Sequence, residues 1–265
     1  MSKFTVFGGR GFIGSAFVKE LRTQGHDVFV PEREDLSIYE DDLGTVIYSA
    51  GYGDCQNDPF NVLQANVVLL SSLLEKSKFN QLVYISSTRV YMNQDESFED
   101  SDVTVCSKDN RRLFNLTKLT AEELCLRSTR ECLIIRPSNV YGLALDSNLF
   151  LPSIIRDAIN NRVVNMYVPK NYAKDYIYVN DLVKDVLYIL SINRSQCIYN
   201  IGSGVNITSQ QLANIIQDKT ACDIIWHENS CEETFPITSI VLKNRKKRSV
   251  LDDLSTMIAD FKKEL

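Results

Sequence analysis

Short runs of consecutive apolar residues alternate along the chain with longer stretches whose apolar positions recur every three or four residues. Runs such as Phe4-Thr5-Val6-Phe7, Val46-Ile47-Tyr48 and Leu82-Val83-Tyr84-Ile85 carry apolar residues on both faces, as strands buried in a parallel sheet do. The pattern predicts strands near 3–7, 27–31, 45–49, 82–86, 132–136 and 197–201. It predicts helices near 12–24, 59–77, 112–128, 150–161, 181–192 and 208–217. Such alternation is the mark of βαβ units, so the expected fold class is α/β with a doubly wound parallel sheet. Residues 143 to about 174 and those after 203 break the alternation and are expected to form a smaller, interleaved C-terminal lobe. Asn93 to Asn110 is acidic and irregular and reads as a surface loop. Only about a dozen residues separate the end of the second strand from Thr45, too few for a full strand–helix–strand unit, so that crossover is abbreviated.

The length of 265 residues, at about 150 per domain, suits one large or two joined domains. Hydrophobic residues at 44% and charged residues at 24% exclude a wholly disordered chain. A net charge of -5 argues against a nucleic-acid partner, which needs a basic face. No run approaches the 18 apolar residues of a membrane span. The first residues run into a strand with no signal-peptide pattern, so a cytoplasmic location is expected. The seven cysteines form no CxxC pair and only His26 and His227 are present, which argues against a zinc site or a disulfide framework and for buried free thiols. The basic run Lys243 to Arg248 is expected to be a solvated helical face, and Trp226 a packed strand residue.

Candidate chemistry begins at Gly8-Gly9-Arg10-Gly11-Phe12-Ile13-Gly14, between the first strand and the first helix. Gly8 permits a tight turn, Gly11 lets a pyrophosphate approach the backbone, and Gly14 lets helix and strand pack closely. The helix N-terminus then offers free amides and a positive dipole end to that pyrophosphate. Past the second strand, Glu32 could take ribose hydroxyls and favour NAD, whereas Arg10 and Arg33 converging on one spot suit a 2′-phosphate. NADP is the expected cofactor, NAD the alternative. Downstream, the strand ending Ser86-Ser87-Thr88-Arg89-Val90-Tyr91 places hydroxyls where strand carboxyl ends line a ligand crevice. Residues Phe114 and Lys118, four apart, share a face of the helix that follows.

With GGRGFIG, SSTRVY, KLTAEEL at 118–124, IIRPSNVYG at 134–142, KDYIYVNDL at 174–182 and YNIGSG at 199–204, the chain resembles the extended short-chain dehydrogenases/reductases of the nucleotide-sugar epimerase/dehydratase family. The resemblance implies a Rossmann domain, here 1–142 with 175–203, and a substrate lobe of 143–174 with 204–265. It implies a nicotinamide cofactor at Gly8, Arg10, Gly11, Phe12, Ile13, Gly14, Arg33, Ala50 and Lys118, and a nucleoside-diphosphate sugar at Ser87, Thr88, Asn139 and Lys174. Ser87 matches the hydroxyl that bonds the substrate oxygen. Lys118 matches the lysine that holds the nicotinamide ribose and lowers the pKa of a catalytic tyrosine. Asn139 lies near the sugar diphosphate, Lys174 stands where an arginine usually faces it, and Asn66 matches an asparagine near the active site. Tyr172 and Tyr176 are expected to line the substrate lobe. Helices 59–77 and 112–128 are expected to pair across a homodimer as a four-helix bundle.

The chain departs from the family at its tyrosine, which is Phe114 here and has no proton to give or take. A general acid or base contributes about 10²–10⁴ in rate, so its loss raises the barrier by about 3–5 kcal/mol. Three accounts are open: an engineered residue, another donor such as Ser87, Tyr91 or water, or a binding-only relative. The abbreviated crossover and the arginine inside GGRGFIG are most similar to the GDP-fucose synthase branch, whose members reduce a 4-keto-6-deoxy sugar nucleotide with NADPH. That reduction is the leading expectation. An NAD-dependent epimerase or dehydratase, and a catalytically silent binding protein, are the alternatives.

Overall fold

The computed structural model describes every residue except 146, 148, 228–232 and 265. The chain starts with β1 (Lys3–Phe7), α1 (Phe12–Thr23), β2 (Asp27–Phe29) and β3 (Thr45–Tyr48). A single 3-10 turn at Leu36–Tyr39 connects β2 to β3, which is the abbreviated crossover. Then come α2 (Pro59–Leu63), a π turn (Gln64–Val68), α3 (Leu69–Lys76), β4 (Gln81–Ile85), α4 (Arg112–Arg127) and β5 (Cys132–Pro137). The helix expected over 59–77 is therefore wound too loosely at its centre. Asn66 lies within that turn, and its buried side chain takes the Tyr52 backbone and the Thr117 hydroxyl as partners. Between 93 and 111 the chain is irregular, as its composition implied.

The second half runs β6 (Asn139–Tyr141), α5 (Phe150–Asn160), β7 (Val163–Met166), β8 (Ala173–Tyr178), α6 (Val179–Ser191) and β9 (Ile198–Ile201). It ends with β10 (Asn206–Thr208), α7 (Ser209–Thr220), β11 (Asp223–Trp226) and α8 (Val250–Glu264). The main sheet has the order β2-β1-β3-β4-β5-β9 and every pairing in it is parallel. Smaller sheets form from β10-β8-β6 and from β11-β7.

Alternate residues of each central strand enter opposite cores. Val6, Ile47, Val83 and Ile85 pack with Phe17 and Leu21 of α1 and Val183 and Val186 of α6. Tyr48, Leu82, Tyr84 and Ile134 pack on the other face with Leu70 and Leu73 of α3 and Ala121 of α4. A third core gathers Ile155 of α5, Ile216 of α7 and Phe261 of α8 around Tyr176.

Two expectations are corrected. The basic run at 243–248 is not a helical face, since α8 begins only at Val250. Arg245 and Lys247 instead turn back onto Asp185 of α6, and Arg248 binds Asp253. Nor are the thiols uniformly buried: Cys125, Cys132 and Cys222 are, but Cys197 is exposed, while Cys231 lies outside the described residues. No helix among the described residues is long and apolar enough to cross a membrane.

Candidate functional site

The glycine turn joins β1 to α1. Gly8 adopts φ +75°, and a side-chain carbon there would lie 2.7 Å from the amide nitrogen of Ala50, just past β3. A carbon on Gly14 would overlap the Gly8 carbonyl oxygen, so neither position admits a side chain. The amides of Gly9 and Gly11 close the turn onto the carbonyls of Val6 and Gly8, at 3.2 and 2.9 Å. Gly11 caps α1 without any side chain. The first amides of α1 thus keep their donors, and the dipole its positive end, for an anion such as a pyrophosphate. This part of the chain fits a dinucleotide.

At the rim beyond β2 the two arginines behave differently from the expected convergence. Glu32 holds both terminal nitrogens of Arg10, one bond being 2.7 Å, and both side chains are exposed. Arg33 is exposed and makes no ion pair among the described residues. Asp35 caps the 3-10 turn instead, accepting the Ser37 amide at 3.0 Å.

A buried ionic network supports the end of β4. Ser86 donates to Glu122 of α4, which holds Arg136 of β5 at 2.6 Å. Arg136 donates in turn to the Tyr91 hydroxyl, and that hydroxyl donates to Asn200 at 3.1 Å. Tyr91 is therefore a supporting member of the network, and its hydroxyl is not the alternative proton donor allowed for above. Burial raises its pKa, against the opposing effect of Arg136. Ser87 accepts the Arg89 amide at 3.1 Å and faces the cleft, which leaves its own proton to donate.

The first turns of α4 supply the other wall. Lys118 is 4% exposed and donates to the Ile85 carbonyl at 2.9 Å. Burial lowers its pKa to about 8, with Glu122 opposing. Its ammonium lies 5.6 Å from the Phe114 ring centroid, and the Arg111 guanidinium carbon lies 4.7 Å from the same centroid. Asn66 accepts the Tyr52 amide and donates to the Tyr52 carbonyl, both at 3.0 Å, which fixes the loop opposite Lys118.

Residues of β6, of β8 and the segment before it, and of the stretch around Phe235 complete the cleft. Asn139 donates to the Asp175 carbonyl at 2.9 Å, and the Lys174 ammonium lies 4.9 and 4.6 Å from the rings of Tyr172 and Phe235. Glu233 accepts from Tyr172 at 3.0 Å and from Arg89 at 3.0 Å. Burial works against the Arg89 charge, but Glu233 and Asp109 outweigh it and hold the guanidinium above its ordinary pKa.

One cleft of about 470 Å³ brings together Phe12, Ile13, Ser87, Thr88, Phe114, Lys118, Asn139 and Lys174, along with Tyr172 and Tyr176. Gly8, Gly14 and Ala50 meet at the glycine turn next to Phe12 and Ile13, while Arg10 and Arg33 are exposed and do not line the cleft. The sequence reading missed Arg89, Arg111, Asp109, Glu233 and Asp175. Asp175 lies in the quoted run KDYIYVNDL, and it accepts the amides of Ser203 and Gly204 in YNIGSG, each at 2.8 Å. The signal for Arg89 was a charged residue inside the otherwise uncharged run SSTRVY. Arg111 and Glu233 carried no such signal.

The chain is similar to known proteins. The chain is 21% identical over 243 residues to a GDP-L-fucose synthase of Sinorhizobium fredii, covering 80% of this chain and 77% of the relative. It is 26% identical over 242 residues to a GDP-6-deoxy-D-mannose reductase of Pseudomonas aeruginosa, covering 80% and 78%. The solved structure of MoeE5 with UDP-glucuronic acid and NAD superposes with a TM-score of 0.83 at 21% identity, covering 99% of this chain and 100% of that one. Residues 4–202 match the model of the NAD dependent epimerase/dehydratase family, and the chain belongs to that family.

Proposed function

We propose that this protein reduces a keto group on the sugar of a nucleoside diphosphate, using NADPH. The observation that carries the proposal is the single cleft joining an intact glycine turn to Ser87 and Lys118. The GDP-L-fucose synthase and GDP-6-deoxy-D-mannose reductase relatives favour a reductase, with a 4-keto-6-deoxy sugar as the form the resemblance implies.

A nicotinamide, when bound, supplies the hydride. The glycine turn and the first amides of α1 hold its pyrophosphate, and Lys118 holds its ribose. Arg10, if released from Glu32, would hold a 2′-phosphate, and Arg33, which makes no ion pair among the described residues, would be available to join it. Ser87 donates to the keto oxygen and keeps it facing the reacting end. Phe114 contributes shape alone, so the proton of the new hydroxyl comes through Ser87 or water, at the reduced rate expected without a tyrosine. Asn139 and Lys174 face the sugar diphosphate. The exposed apolar side chains of Phe60, Leu63, Leu116 and Leu126 on α2 and α4 support a homodimer built through these helices.

A second reading, favoured by Phe114 itself, is a protein that binds a nucleotide sugar without turning it over. NADPH oxidation at 340 nm against nucleoside-diphosphate 4-keto sugars, with the native chain and Phe114→Tyr in parallel, decides between them. Turnover by the variant, with or without slow turnover by the native chain, supports the reductase. Silence from both, with a nucleotide sugar still bound, leaves the binding-only or NAD-recycling reading.

A further inference from the structure

Arg111 stands just ahead of α4 with its guanidinium over the Phe114 ring, and it lines the cleft. A side-chain carbon on Gly53 would sit 3.1 Å from its terminal nitrogen, so the glycine leaves the guanidinium room on that side. Neither neighbouring carboxylate serves it. Asp109 accepts from Arg89 at 2.7 Å, from the Arg111 backbone amide at 2.8 Å and from Asn115 at 3.0 Å. Glu233 is held by Arg89 and Tyr172. Among the described residues the Arg111 guanidinium therefore makes no ion pair.

A second, independent feature lies on the same wall. Arg89 is 7% exposed, and its Nε is buried without a hydrogen-bond partner. Burial and then the charge of Arg89 hold the Arg111 pKa below its ordinary value, so the two cations feel one another. An anion at the Arg111 guanidinium would relieve that repulsion. The planar fork of a guanidinium matches a carboxylate through two parallel bonds. The substrate's diphosphate is the competing anion, but the proposed function assigns it to Lys174, which lies against Tyr172 and Phe235. Arg111 sits on Phe114 beside Lys118, the end at which the proposed function would bring the sugar ring.

We propose that Arg111, backed by Arg89, binds a carboxylate on the sugar, so that the substrate is an acidic nucleoside-diphosphate sugar rather than a neutral 6-deoxy one. This rests on the nucleotide-sugar reading of the cleft. The test is calorimetric titration of matched pairs: UDP-glucuronate against UDP-glucose, GDP-mannuronate against GDP-mannose, and dTDP-glucuronate against dTDP-glucose. In the nucleotide series that binds, the acid binds about tenfold tighter or more, the usual effect of a charge-assisted pair. Arg111→Met removes that preference and Arg111→Lys keeps part of it, with both variants melting like the native protein. Equal affinity for acid and neutral sugar overturns the assignment while leaving the nucleotide-sugar reading intact. So does an Arg111→Met variant that weakens both alike, which would place Arg111 on the diphosphate. If none of the six compounds binds, the nucleotide-sugar reading falls and this assignment falls with it.

Discussion

The two ends of the cleft are built on different principles. At the glycine turn, function belongs to the backbone: amides, a helix dipole and two positions that exclude any side chain. Seven consecutive residues make the whole device, and none of its working parts titrates. At the Phe114 end, function belongs to side chains brought from distant segments, including Asn66, Ser87, Arg111 and Lys118. On the proposed function, that end carries its supporting side chains but has a phenyl ring in place of the family's phenol. Binding geometry specified by the backbone is thus separable from chemistry that depends on a single hydroxyl.

The sharpest way to break the comparison is to replace the missing atom. Phe114→Tyr is expected to raise turnover of a nucleoside-diphosphate keto sugar by about 10²–10⁴-fold, or about 3–5 kcal/mol of barrier, read as NADPH oxidation. A smaller but still large effect is expected below the site. Glu122→Gln leaves the buried Arg136 charge without its partner and should lower unfolding stability by about 3 kcal/mol in a urea titration.

Next comes a titrating group of the Phe114 end on which cofactor binding is proposed to depend. Burial lowers Lys118 to about 8, so the folded protein carries that charge below about pH 8 and loses it as pH rises through that value. Cofactor affinity that needs the cation is therefore complete below pH 8 and falls by up to about tenfold per pH unit above it. Fluorescence titration with NADPH across that range should show the fall in the native chain and its absence in Lys118→Arg. The smallest effect belongs to the rim. Glu32→Gln releases Arg10 from an exposed pair and should improve NADPH over NADH by about two- to fivefold, measured by competitive titration.

The same contrast explains what was legible in the sequence. The glycine turn and the buried strands were readable because their residues are neighbours in the chain and their pattern has a period. The short strands Asn139–Tyr141 and Asn206–Thr208 were not, since they pair in a small separate sheet rather than in the regular strand–helix alternation. The basic run at 243–248 misled because its charges are absorbed by Asp185 and Asp253, contacts that exist only after folding. Ser87, Phe114 and Lys118 were legible through local motifs. Arg89 and Glu233 meet across 144 positions, and the bareness of Arg111 follows from where Asp109 points, so neither could be read before the fold.

The most direct test of the central claim is to measure NADPH affinity and keto-sugar turnover on the native chain and Phe114→Tyr side by side. The account predicts dissociation constants for NADPH that agree within about twofold, with turnover rising sharply only in the variant. A native chain that fails to bind NADPH, or that turns over as fast as the variant, would contradict it.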